Sequence, residues 1–158
     1  MSICNAVVDW SLGEGKFLAG RYSRAHQLSF DGGAVLAGSS SPAVVPAPWS
    51  DPAGVDPEEM FVASLSSCHM LWFLDYARRA KLAVAAYRDQ AEGVMEKDAD
   101  GRVAITRVTL RRAARFTGRQ PDASELEALH HAAHDACFIA NSVKTQVTVE
   151  PILSPEEV

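Results

Sequence analysis

The chain predicts an α+β fold in the order β-β-β-α-β-β-α-β, and three features predict it. Two turn signals, Asp31-Gly32-Gly33 and Asp98-Ala99-Asp100-Gly101, each lie between stretches of extended character and mark hairpins. Helix-start chemistry followed by helically spaced apolar residues begins at Asp56, and again at Asp122 or Ser124. Hairpins dominate the strand connections, so the sheet should be mainly antiparallel, with the two helices central.

Taken in order, Ile3 to Trp10 reads as a short strand and Glu14-Gly15 as a turn. Arg21 to Phe30 looks extended, and Ala34 to Gly38 returns after the hairpin turn. Ser39 to Val55 holds Pro42, Pro46, Pro48 and Pro52, which exclude a helix or a central strand. Trp49 within it predicts a loop pinned to the body of the protein. In Asp56-Pro57-Glu58-Glu59, Asp56 suits N-cap, Pro57 suits N1 and Glu59 completes a capping box. The helix should run to about Ala80, with Phe61, Leu65, Cys68, Trp72 and Tyr76 on one apolar face. Ala83 to Glu96 reads as a long strand, and Arg102 to Thr117 alternates with period two. Gly118 to Pro121 is a loop. The second helix carries Leu126, Leu129, Ala133 and Ala136 on one face and should end near Asn141. Val143 to Val149 closes the sheet before Pro151, and Ser154 to Val158 reads as a mobile tail.

Composition narrows the function. The 158 residues suffice for one domain with a hydrophobic core, and 47% apolar content argues against disorder. A net charge of −5 without a basic, aromatic-interleaved stripe disfavours nucleic-acid binding. No apolar run approaches the ~20 residues of a membrane span. MSICNAVVDW lacks the layout of a secretory signal, so the cytoplasm is the expected compartment. Thiols stay reduced there, and any functional cysteine pair must work by redox cycling or metal binding.

Cys68 and Cys137 fall on the inward faces of the two helices. On position alone, each also reads as a small buried core residue. Cys4, on the first strand, reads as structural. Cys68 lies too deep in its helix for the helix dipole to activate it, so a reactive thiolate there needs a nearby cation. His130, His131 and His134 share the second helix, and His130, His134 and Cys137 have a spacing that suits a metal. A solvated or partly buried helical face is the plainer reading. Glu58 fits a first-turn carboxylate and Arg24 an exposed strand residue.

The segment DPEEMFVASLSSC, from Asp56 to Cys68, resembles the signature of the OsmC/Ohr family of hydroperoxide reductases. In that family a cysteine follows ten residues after the glutamate of an N-P-E segment, as Cys68 follows Glu58. CFIANSVKTQVTVE resembles its second cysteine motif and last strand. The family often has proline and serine where Phe138 and Ala140 stand, and His69 follows Cys68 directly; both features point to an OsmC-like subgroup. The resemblance covers nearly the whole chain and implies a single OsmC-like domain over 1–158, in an intertwined homodimer.

It also implies roles. Cys68 corresponds to the peroxidatic cysteine, Cys137 to the resolving one, and Glu58 to the glutamate that holds an active-site arginine. That arginine is Arg24 by its distance from Asp31-Gly32, with Arg21 as the other choice. The implied chemistry is reduction of a hydroperoxide through a Cys68 thiolate, a sulfenic acid and a Cys68–Cys137 disulfide. A dithiol, in this family often a dihydrolipoyl group, restores the thiols, and no metal, flavin or haem is required. Met60, Phe61, Trp72 and Phe138 would favour an organic hydroperoxide. Two other functions stay open: a metal-binding protein using His130, His134 and Cys137, and a hydrophobic-ligand protein with inert cysteines.

Overall fold

The computed structural model describes residues 1–151, so the tail Ser154 to Val158 lies outside the described residues. Its elements are β1 (Ala6–Asp9), β2 (His26–Phe30), β3 (Val35–Gly38), α1 (Pro57–Arg79), β4 (Ala83–Asp89), β5 (Glu92–Lys97), β6 (Val103–Thr117), α2 (Ala123–Ala136) and β7 (Gln146–Pro151). The order is the predicted one, except that the long strand read over Ala83 to Glu96 is divided into β4 and β5. Both pieces pair antiparallel with β6. Between them the Gln90 amide donates to the Arg111 carbonyl at 2.7 Å, so the pairing is interrupted without leaving β6. β7 runs parallel to β6 and shares Arg107, Val108 and Thr109 as partners with β5. Each strand has one neighbour per side, so β5 and β7 flank β6 from opposite sides.

The chain divides into two compact units, residues 1–60 and the part from Phe61 onward. In the first, β1, β2 and β3 form an antiparallel sheet in that order. The turn before β3 uses Gly33 at φ 85°, a backbone conformation that suits glycine. Gly38 faces His26 across the β2–β3 pair, and a Cβ there would press on the side chains of His26 and Leu28, which would have to shift. The strand predicted from Arg21 begins only at His26. Before it, a bridge between Lys16 and Arg21 closes a 3-10 turn over Phe17–Ala19. The Ser39–Val55 loop is pinned as expected: the Arg24 amide donates to the Trp49 carbonyl at 2.8 Å, and the Asp51 amide to the buried Ser39 hydroxyl at 2.9 Å.

The capping box of α1 forms in both directions. Asp56 Oδ1 accepts from the Glu59 amide at 2.7 Å, and Glu59 Oε2 accepts from the Asp56 amide at 3.1 Å. At the other end the Leu82 amide donates to the Ala77 carbonyl at 2.9 Å and the Lys81 amide to the Arg78 carbonyl at 3.0 Å. These two bonds define a Schellman stop, and Lys81 occupies its left-handed position at φ 59°. A lysine there carries a steric cost that glycine avoids. Lys81→Gly should therefore stabilise the protein by about 1 kcal/mol, read as a raised urea midpoint with unchanged slope.

In the second unit the fully buried stripe of α1 is Leu65, His69, Phe73 and Ala77. The predicted apolar face through Cys68, Trp72 and Tyr76 is rotated by one residue from this stripe and is only half-buried. Leu71 is exposed, so the helix is not covered all round. Phe73, Ala77 and Leu82 pack with Leu129 and Ala133 of α2, while Leu65 packs with Val108 and Leu110 of β6. Asp122, rather than Ser124, caps α2, accepting from the Glu125 amide at 2.8 Å. The helix ends at Ala136, short of the predicted Asn141, because Cys137 turns to extended backbone at φ −67°, ψ 108°. A 3-10 turn over Ala140–Ser142 follows, which delays β7 to Gln146.

Candidate active site

The early end of α2 shapes the surroundings of Cys137. As the residue after the last helical turn, Cys137 sends its amide to the His134 carbonyl at 3.1 Å. The chain then folds back, and the Ala140 amide donates to Cys137 Sγ at 3.4 Å. The Ile139 amide also bonds this sulfur, and the side chain of Cys68 lies beside it. The two thiols are thus close neighbours. Cys68 is half-buried and Cys137 is 1% exposed. Burial, reinforced by the Cys68 contact, pushes the Cys137 thiol up to about 11, against the opposing pull of the Ala140 and Ile139 amides. Cys137 therefore keeps its proton at neutral pH and can donate it toward the sulfur of Cys68.

Aromatic rings stand beside this pair. Trp72 follows Cys68 by one helical turn and meets the ring of Phe138 edge-on, with centroids 5.4 Å apart. Phe138 is 68% exposed. Phe61, by contrast, packs against the Leu65, Val108 and Leu110 cluster. Met60 is half-buried and belongs to the first unit.

Arg24 and Glu58 also belong to the first unit. The Arg24 guanidinium lies 3.7 Å above the Tyr22 ring, and its Nη1 donates to the carbonyls of Gly20 at 3.2 Å and Tyr22 at 2.5 Å. Among the described residues of this single chain, no ion pair joins Arg24 to Glu58. Arg21 borders a different cleft, with Lys16 and Trp49.

Sequence reasoning missed a buried histidine pair. His69 Nε2 and His130 Nδ1 are 3.0 Å apart and hydrogen-bonded, with the residues 1% and 3% exposed. His130 also stacks on Phe73 at 4.2 Å. The reading of His130 as part of a solvated or partly buried face is corrected: its spacing of three residues from Ala133 and seven from Cys137 puts it on the core side. Burial, assisted by the nearby Arg112 charge, lowers His69 to about 4 and His130 to about 2. The buried Arg112 is itself lowered by desolvation, and desolvation likewise raises Tyr87 and Asp89. Asp89 Oδ2 accepts from the Ser66 hydroxyl at 2.5 Å. Because His130 Nδ1 is engaged by His69, it is not free for a metal. Among the described residues no group of three or more His, Cys, Asp or Glu side chains is placed to hold one.

The family profile described as OsmC-like protein matches residues 50–151, a span that includes both cysteines, the capping box and the histidine pair. The chain belongs to the OsmC-like family. An OsmC-like protein of unknown function from Vibrio cholerae is 47% identical, with 96% of this chain and 100% of that one covered and a TM-score of 0.94. The organic hydroperoxide resistance protein OhrB of Bacillus subtilis shares the fold at 19% identity, with 96% and 98% covered and a TM-score of 0.68. An organic hydroperoxide resistance protein from Elizabethkingia anophelis does so at 16% identity, with 96% and 94% covered and a TM-score of 0.68. No curated protein is significantly similar to the chain. As an OsmC-like protein it has the expected α+β architecture, and among the described residues no helix is long and apolar enough to cross a membrane.

Proposed function

We propose that this OsmC-like protein is a cysteine-based peroxidase that reduces organic hydroperoxides. The observation that carries the reading is the proximity of Cys68 to Cys137, close enough for the one side chain to raise the thiol of the other. Two thiols already in contact form a disulfide with little movement, and the less buried one is open to attack a substrate. The Cys68 thiolate attacks one peroxide oxygen; the O–O bond breaks, the alcohol leaves with a proton, and Cys68 becomes a sulfenic acid. The Cys137 sulfur then displaces water from it and closes the disulfide. A dithiol of the dihydrolipoyl class returns the two electrons and becomes a disulfide itself.

The asymmetry of burial gives recycling a direction. The reductant thiolate reaches Cys68, and the Cys137 sulfur leaves toward the Ala140 amide and takes up a proton. The family resemblance assigns the cation that activates Cys68 to Arg24 and its holder to Glu58, a pair that would have to form on dimer assembly, and Trp72 with Phe138 would accept the apolar tail of the substrate. The exposed Val7, Val8, Val35 and Leu36 of β1 and β3 support a homodimer that covers them. Light scattering should return twice the 17.0 kDa chain mass, and a monomer would remove the dimer from this reading.

One equivalent of cumene hydroperoxide tests the proposal. Mass spectrometry should find a Cys68–Cys137 disulfide, and Cys137→Ser, with no dithiol present, should show a sulfenic acid on Cys68 in its place. Oxidation elsewhere, or none, would sink it.

A further inference from the structure

The helix that carries Cys68 and the helix that leads into Cys137 are joined by the buried histidine pair. His69 adjoins Cys68 on α1, and His130 precedes Cys137 by seven residues, two turns of α2 and about 10 Å along its axis. The His69–His130 bond differs in kind from the apolar packing around it. Phe73, Ala77, Leu129 and Ala133 attract one another without direction, and such contacts tolerate a helix that slides or turns slightly. A hydrogen bond with both partners at least 97% buried allows one distance and one orientation. Breaking it strands two polar atoms away from water, at a cost of about 1–3 kcal/mol for each. The stack of His130 on Phe73, with ring planes 9° apart, fixes the imidazole from a second side, and Phe73 is one turn beyond His69 on α1. The register of the two helices is thereby tied to a polar contact, in the way a single buried polar residue sets the register of a coiled coil.

We propose that the His69–His130 pair is a positioning clamp: it holds α1 and α2 in the one register at which Cys68 and Cys137 can join. The inference rests on the pairing of these two thiols proposed above. A disulfide tolerates little displacement, since its Cβ atoms must lie roughly 3.5–4.5 Å apart, and a shift of about 1 Å at a reacting centre can slow a reaction a hundredfold. Neither histidine needs to touch the substrate. Around the clamp stand Arg112 of β6, Tyr87 and Asp89 of β4, and His134 and Glu127 of α2.

The test uses the full chain and glutathione disulfide as oxidant. The reaction transfers two electrons from Cys68 and Cys137 to glutathione disulfide and yields the protein disulfide and two glutathione thiols. Alkylation and mass spectrometry of samples equilibrated over a range of glutathione ratios give the effective concentration of the two thiols. His130→Asn keeps a polar atom at the position of Nδ1, whereas His130→Gln puts it one carbon too far. The Gln variant should lose at least about tenfold in effective concentration, and the Asn variant should stay within about threefold of the wild type. A His130→Leu variant that folds by circular dichroism should behave like the Gln variant. Equal effective concentrations in wild type, Asn and Gln would overturn the clamp, as would an Asn variant that folds yet loses as much as Gln. No hydroperoxide enters this experiment. A wild-type chain that consumed none would therefore count against the proposed function alone, while a histidine-dependent disulfide would still uphold the clamp.

Discussion

Cys68→Ser should lower hydroperoxide consumption by more than about a thousandfold. The argument is chemical. A serine hydroxyl is not ionised near neutral pH and is a far weaker nucleophile toward oxygen than a thiolate. The substitution keeps nearly the same volume at a half-buried position of α1, so the fold should persist. Cys137→Ser should behave differently. Without a dithiol its first turnover should proceed, because Cys68 is intact, and consumption should stop after about two equivalents per chain. The first leaves Cys68 as a sulfenic acid with no partner, and further hydroperoxide should take it to the sulfinic acid, seen as an added mass of two oxygens on the Cys68 peptide. Wild type should consume cumene hydroperoxide faster than hydrogen peroxide, given the exposed Phe138 and its contact with Trp72. A Cys68→Ser protein that still turned over, or a faster rate on hydrogen peroxide, would contradict this account at the nucleophile and at the substrate respectively.

Acid should destabilise the protein by about 4 kcal/mol between pH 7.5 and pH 5. His69 and His130 ionise at about 4 and about 2 in the folded protein, against an ordinary histidine value of 6.5. Their folded values are depressed, so the unfolded chain binds more protons below pH 6.5. Stability from the pair is fully present above 6.5, and it falls as pH drops through the window toward 4. By pH 5 each histidine accounts for about 2 kcal/mol. Asp89 works in the opposite sense: its carboxyl is raised by burial, so protonation favours the folded state. Urea midpoints at pH 5, 6 and 7.5 give the measurement. The double variant His69→Gln/His130→Asn cannot titrate at these positions and should show a nearly flat profile. A wild-type profile as flat as that of the variant would remove the histidine pair as the origin of the effect.

Both predictions draw on residues of unequal visibility in the sequence. The helix from Pro57 could be read directly, because Asp56, Pro57 and Glu59 act locally and the capping box needs no tertiary partner. The hairpin at Asp31-Gly32-Gly33 was equally plain, since the turn depends on glycine at positive φ. The end of α2 was not. Neither glycine nor proline marks Cys137, and the stop there accompanies hydrogen bonds from Ile139 and Ala140 to its sulfur. The apolar face of α1 was misplaced by one residue because His69 counted as polar in the pattern, although it is 1% exposed. A buried histidine is stable only with a partner, and that partner, His130, is 61 residues away.

The order of strands and helices, the helix caps and the family signature around Cys68 all follow from short-range chemistry, where each residue acts on neighbours a few positions away. The contact between Cys68 and Cys137 and the bond between His69 and His130 join α1 to distant segments of the chain. Spacing along the chain says nothing about which faces of two helices meet, because side-chain packing sets their rotation and register. That packing is what brings one cysteine beside the other and one histidine beside the other.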